Sequence, residues 1–262
     1  MASIFKPIAS PCLRLLVTLA VALAGSAVSS EPAHDLEIPR LKYVAAPVSR
    51  LPDKPLSHPA KTIVELNRGG EEIFKKPSAP LYFVVGFLTL DQDEKLREFI
   101  LSDDIKDDHR FSNVYSQFGE GKNILALAMV LQSGSKRERD TGRMLLAAGA
   151  NGLLWTYLTK SLTGRQRPNS ADQPGKWHGP RSFRDDSFPS GHTIGAVTAA
   201  VVLGHQYPDA KLLFYHLAAL TGAARIKGRM HYPSDVYWGA GVGYYSAWQA
   251  IRNKEVIVRW SF

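Results

Sequence analysis

Cysteine is nearly missing from these 262 residues, and the single one, Cys12, lies close to the N-terminus. One thiol builds no disulfide framework, and a chain processed behind residue 29 would carry none, so thiolate chemistry drops out. Long apolar runs are missing as well. The uncharged stretches Met144–Thr159, Leu212–Ala224 and Val236–Ile251 count 16, 13 and 16 residues and contain Asn151, His216 and Gln249. All fall short of the roughly 18 residues expected of a membrane span. With a mean hydropathy of −0.15, this favours a soluble helical domain over a multi-pass membrane protein, with short spans in a thin bilayer as the alternative. No arginine-rich tract or aromatic–basic interleaving points to nucleic acid. No dense set of metal ligands, internal repeat or low-complexity tract is present, so no cofactor or metal is expected.

Charge is absent from Leu15 to Ser30, a 16-residue run preceded by Lys6 and Arg14 and ending among the small residues Gly25, Ala27 and Ser29. This pattern predicts a secretory signal peptide over residues 1–29 and a periplasmic or secreted location. A retained membrane anchor is the rival, disfavoured because a spanning helix needs about 20 residues. Removing residues 1–29 deletes two cations and no acid, taking the net charge from +8 to +6. That mild excess suits anionic partners, acidic lipid at a membrane surface among them.

Residues 30–90 form a proline-rich segment (Pro32, Pro39, Pro47, Pro52, Pro55, Pro59, Pro77, Pro80) that predicts an extended arm with little regular structure. Within it, the apolar stretch Leu81–Leu90 fits a strand or a short buried helix, and periodicity cannot decide. Asp91 followed by Glu94 reads as a capping box opening a helix to about Lys106, and 107–121 reads as loop. Helix-length segments rich in Ala and Leu follow at about 121–133, 137–162, 191–205, 208–225 and 234–252, broken at Gly164, Gly204, Pro208, Gly228 and Pro233. The fold class is therefore all-α: a helix bundle over residues 91–262, with its site at one end.

Chemistry concentrates in three blocks: Lys160 with Arg167-Pro168; Pro189-Ser190-Gly191-His192; and Arg225 with His231 and Asp235. Guanidinium forks bind phosphate oxygens bidentately and keep their charge, so Arg167 and Arg225 suit a phosphoryl group, with Lys160 adding a point charge. Phosphoryl transfer is mainly positioning and electrostatic stabilisation, which is what such a cluster supplies. Pro and Ser ahead of an apolar helical run mark a helix N-terminus, whose outward N–H groups bind anions. There Gly191 leaves room for the phosphate, Ser190 offers another donor, and His192 projects from the first turn. His231 and Asp235, four apart, share one face of a helical turn, and a carboxylate on Nδ1–H would present Nε2 as a nucleophile. Each block has a plainer reading alone: a solvated helix end, an N-cap, a surface ion pair.

The spacings Lys-x6-Arg-Pro, Pro-Ser-Gly-His and Arg-x5-His-x3-Asp, in that order, resemble the type 2 phosphatidic acid phosphatase (PAP2) superfamily over roughly residues 120–250. That superfamily includes bacterial non-specific acid phosphatases and vanadium haloperoxidases. The resemblance implies a metal-independent phosphomonoesterase. In it His231 attacks phosphorus, His192 protonates the leaving oxygen and later activates water, and Asp235 orients His231. Lys160, Arg167, Ser190, Gly191 and Arg225 hold the phosphoryl oxygens. One departure is Ala224, where the family pattern usually has Ser. The expected substrate is a phosphorylated small molecule or lipid, with lipid and isoprenoid phosphates and diphosphates included. The alternatives are a non-specific acid phosphatase acting on soluble organic phosphates, a vanadate-dependent haloperoxidase, and a non-catalytic phosphate- or lipid-binding module. The Asn169–Asp186 insert, with Trp177, His178 and Arg181, reads either as an exposed loop or as a lid.

Overall fold

The computed structural model describes residues 73, 75–101, 109–170, 173–180 and 186–253. The segment read as a signal peptide, most of the proline-rich arm and Arg181 lie outside the described residues. Among the described residues eight α-helices follow one another: α1 (Ala79–Asp91), α2 (Asp93–Leu101), α3 (His109–Ser116), α4 (Gly121–Leu131), α5 (Lys136–Thr163), α6 (Gly191–Gln206), α7 (Lys211–Lys227) and α8 (Pro233–Arg252). Short 3-10 turns, Gln117–Gly119 and Pro208–Ala210, precede α4 and α7. Among the described residues there is no β-strand, and the all-α expectation holds.

The bundle is organised around α6, which packs against α5, α7 and α8. Its sequence explains why. Ala196, Ala199, Ala200, Val202 and Leu203 leave almost no accessible surface, so the helix is apolar around most of its circumference, the mark of a central helix. Full burial of a side chain such as Val202 or Leu203 stabilises by about 1.5–3 kcal/mol. Gly239 of α8 allows close approach to this helix, since a Cβ there would sit 2.8 Å from the Ser190 carbonyl oxygen.

The N-terminal half departs from the sequence reading in three places. Leu81–Leu90 is helical, inside α1, and of that helix only Gly86 is buried. Asp91 ends α1 rather than capping the next helix, because α2 starts at Asp93, whose carboxylate is committed to a buried contact. The loop expected over 107–121 contains α3 and a 3-10 turn. Too short to stand alone, α3 is held by α7, where Thr221 donates to the Tyr115 carbonyl and Arg225 donates to Ser116.

Candidate active site

Helix α5 delivers the first cation in its last turn and then stops. Gly164 takes a left-handed conformation (φ 55°) and returns its N–H to the Lys160 carbonyl, the usual helix exit for a residue without a Cβ. A Cβ there would also lie 2.4 Å from the Gly179 carbonyl. The chain then doubles back on itself: Gln166 N–H bonds to Lys176 O and Ser187 N–H to Arg165 O. This brings Arg167 within electrostatic range of Lys160, and burial with that neighbouring charge lowers the Lys160 pKa to about 8. The ammonium donates to the Asp186 carbonyl at 2.5 Å.

Ser190 is the N-cap of α6, its hydroxyl accepting from Thr193 N–H at 3.4 Å and from Thr193 Oγ1 at 2.9 Å. Capping and the proposed phosphate contact thus share one hydroxyl. Its own N–H bonds to the Asp235 carbonyl at 3.0 Å, tying this turn to α8. A Cβ on Gly191 would meet only Thr156 Cγ2, at 3.6 Å. Packing does not demand glycine here, and its effect is to leave the helix N-terminus open. His192 Nε2 stands 2.9 Å from Glu120 Oε2. Burial, with Arg225 next, lowers the His192 pKa, and Glu120 opposes the shift.

Arg225 is buried at the end of α7, and its Nε has no hydrogen-bond partner among the described residues. A buried guanidinium with an unmatched donor is costly unless a ligand supplies the acceptor. Burial followed by Arg167 lowers its pKa to about 10. The 228–232 turn curls back so that Met230 and His231 N–H groups both reach the Arg225 carbonyl, setting His231 beside the arginine. Ala224, where the family pattern has Ser, is wholly buried.

His231 and Asp235 do meet, but not along a helix face. α8 starts at Pro233, so His231 lies outside it; the Asp235 carboxylate folds back to accept Tyr232 N–H at 2.8 Å. His231 Nδ1 then lies 3.5 Å from Asp235 Oδ2. Burial is the largest influence on His231 and lowers its pKa to about 3, against the opposing pull of Asp235. This shift favours the neutral ring, the form in which an imidazole can act as a nucleophile. Asp235 stays below the usual carboxylate range: burial, the largest effect, would raise it, but bonds and charges from His231, Arg165 and Ser187 outweigh that.

All eight site residues read from the sequence gather at this end of the bundle. Arg167 makes the point most directly, since its charge depresses Lys160, His192, Arg225 and His231 alike. Four participants were not read from the sequence: Glu120, Asp93, Arg165 and Ser187, the last donating to Asp235. Only Arg165 carried a signal, as a second arginine two positions before Arg167. In the insert, Trp177 packs its ring over Arg165 at 4.8 Å, and His178 Nε2 stands 3.2 Å from Gln166 Nε2. Among the described residues, no three His, Cys, Asp or Glu side chains form a metal-binding group.

Among the described residues the domain is all-helical and gathers three cations, a helix N-terminus and a His–Asp pair at one end. Residues 141–258, a little under half of the chain, match the PAP2 superfamily model. A lipid A 1-phosphatase of Rhizobium johnstonii is 34% identical over 116 residues, which is 42% of this chain and 44% of the relative. Another lipid A 1-phosphatase, of Rhizobium etli, is 36% identical over 100 residues, 36% of this chain and 41% of the relative. The chain thus spans less than half the length of these curated relatives. The crystal structure of Aquifex aeolicus LpxE has 26% identity and a TM-score of 0.49, covering 61% of this chain and 94% of that one.

Proposed function

We propose that the chain hydrolyses the phosphomonoesters of lipid-type substrates through a phosphohistidine on His231. The observation that carries this is the placing of neutral His231, backed by Asp235, among Lys160, Arg167 and Arg225. His231 Nε2 attacks phosphorus and the P–O bond to the leaving group breaks, the leaving oxygen taking a proton from His192. The Glu120 carboxylate and the bound dianion favour His192 carrying that proton, against burial and the pull of Arg225. Water then attacks phosphorus, His192 takes its proton, and the P–N bond breaks to release inorganic phosphate. The three cations, the α6 N-terminus and the Arg225 Nε–H meet the charge spread over the equatorial oxygens.

The relatives named lipid A 1-phosphatase support a lipid substrate, and so does a second feature. An apolar cleft of about 380 Å³ lies between α6, α7 and α8, lined by Val197, Val201, Ala219, Gly222, Val236 and Ala240 among others. Its lining starts next to the site, since Thr193 and Val236 adjoin His192 and Asp235. From Thr193 to Val201 the cleft runs along α6 for about 12 Å at 1.5 Å per residue, enough for part of a hydrocarbon chain. Among the described residues no helix is long and apolar enough to cross a membrane. Exposed Leu81, Val84, Phe87 and Leu88 on α1 nonetheless offer apolar surface to a bilayer, and the leader read over residues 1–29 would carry the site to the periplasm.

The test is phosphate release from an aryl phosphate in EDTA by the parent and by His231→Ala, with Ala219→Trp alongside. Parental turnover that survives chelation and disappears in His231→Ala is the expected result; equal rates would remove His231 as nucleophile. Ala219→Trp should raise KM for a short-chain lipid phosphate several-fold and leave the aryl phosphate unaffected. Unchanged lipid kinetics would refute the role of the cleft.

A further inference from the structure

The Asp235 carboxylate does not stand alone behind His231. Its Oδ1 accepts Arg165 Nη1 at 2.8 Å, and its Oδ2 accepts Tyr232 N–H and the Ser187 hydroxyl while facing the imidazole. Arg165 is itself buried, its guanidinium 4.1 Å from the Tyr232 ring centre on one contact and 4.8 Å from Trp177 on the other. Its Nη2 donates to Asp93 Oδ2 at 2.7 Å. Asp93 lies on α2, outside the residues that match the family model. Its other oxygen takes Ser234 N–H at 2.8 Å.

The proton positions in this cluster leave little freedom. Ser234 Oγ accepts from Arg165 Nη1 at 2.8 Å and donates to Asp93 Oδ2 at 2.5 Å. Burial raises the Asp93 pKa, and its hydrogen bonds and the Arg165 charge oppose that shift; each of its hydrogen-bond partners is a donor, which fits the ionised carboxylate. Charge arithmetic follows. Arg165 with Asp235 alone sums to zero, so a lone buried arginine would cancel the charge that His231 needs behind it. With Asp93 included, two carboxylates and one guanidinium sum to −1. That remaining charge faces the imidazole through Oδ2, while Lys160 and Arg167 press on the ring with positive charge.

We propose that Asp93 is a positioning residue for His231: it neutralises Arg165, so that Asp235 keeps a full negative charge to steady the phosphohistidine ring. The proposal rests on the reading of His231 as nucleophile. Loss of the Asp93 charge makes the phosphohistidine less stable, so it forms more slowly and breaks down faster. A purely structural tie between α2 and α8 predicts no such split.

The experiment compares parent, Asp93→Asn and the double variant Asp93→Asn/Arg165→Gln on an aryl phosphate. It measures kcat, KM, Tm and the fraction of enzyme trapped as phosphohistidine by rapid quench. Asp93→Asn should lose about tenfold to a hundredfold in kcat, as carboxylates behind metal-bound histidines do. KM should stay within about twofold, and the trapped fraction should fall. The double variant, whose cluster again sums to −1, should regain trapped phosphohistidine even if its Tm drops further. An unchanged kcat and trapped fraction in Asp93→Asn, or no regain in the double variant, overturns the proposal. A parent that turns over nothing refutes the function proposed above instead. In that case nitrogen-15 spectra of the His231 ring decide: a parent and Asp93→Asn with identical Nδ1–H signals overturn the role of Asp93.

Discussion

A single methyl group at position 119 should separate stability from catalysis. A Cβ built on Gly119 would lie 2.0 Å from the His192 carbonyl oxygen and 2.8 Å from its carbonyl carbon. Ordinary contact starts near 3.4 Å, so the two backbones must part by about 1.4 Å (3.4 less 2.0). Neither belongs to a flexible side chain: Gly119 ends the 3-10 turn and His192 sits in the first turn of α6. Overpacking of this kind costs about 1–3 kcal/mol, and each kcal/mol lowers Tm by about 2–4 °C in a chain of this size class. The functional effect should be larger than that loss implies. Glu120, the next residue, is the carboxylate 2.9 Å from His192 Nε2, and a shift near 1 Å can cost about a hundredfold in rate. Gly121→Ala is the matched control, since a Cβ there meets nothing within 4 Å. Tm by calorimetry and kcat on an aryl phosphate, measured at a temperature where all three proteins are folded, make the comparison. Gly119→Ala as stable and as active as Gly121→Ala would refute the claim that this backbone contact places the Glu120–His192 pair.

Two further outcomes follow from the same geometry. Lys160, lowered to about 8 by burial and by Arg167, would bind phosphate as the ammonium under the proposed function, so kcat/KM should fall as pH rises through about 8; Lys160→Arg should abolish that limb, because guanidinium stays charged. In the core, Asn151 donates to the Gln249 side chain, while Asn151 Oδ1 and Gln249 Nε2 have no partners among the described residues. Asn151→Ala should therefore cost about 1–3 kcal/mol in urea unfolding by stranding the Gln249 amide, and Asn151→Leu combined with Gln249→Leu should recover most of it.

What the sequence discloses and what it hides follow from the range of the forces involved. Helix α5 was legible to within a residue because its ends are local: Ser135 caps Glu138 reciprocally and Gly164 supplies the left-handed exit. The three blocks of the candidate site were legible because each is compact and their residue types have few other reasons to occur at those spacings. Asp93 was not. Its apparent local role was to follow Asp91 into a capping box, and its actual partners, Arg165 and Ser234, lie 72 and 141 positions away. Glu120 reads as an ordinary acid before a helix until the packing of Gly119 against α6 puts it beside His192, 72 positions on. Helix α3 shows the same limit in secondary structure, because eight polar-rich residues become helical only when α7 offers Thr221 and Arg225 as anchors. The groups proposed to touch phosphate are therefore the ones written locally, and the groups that set their charge and orientation come from distant segments. Substitutions at Asp93, Arg165 or Glu120 are accordingly where the three blocks can remain intact while the chemistry changes.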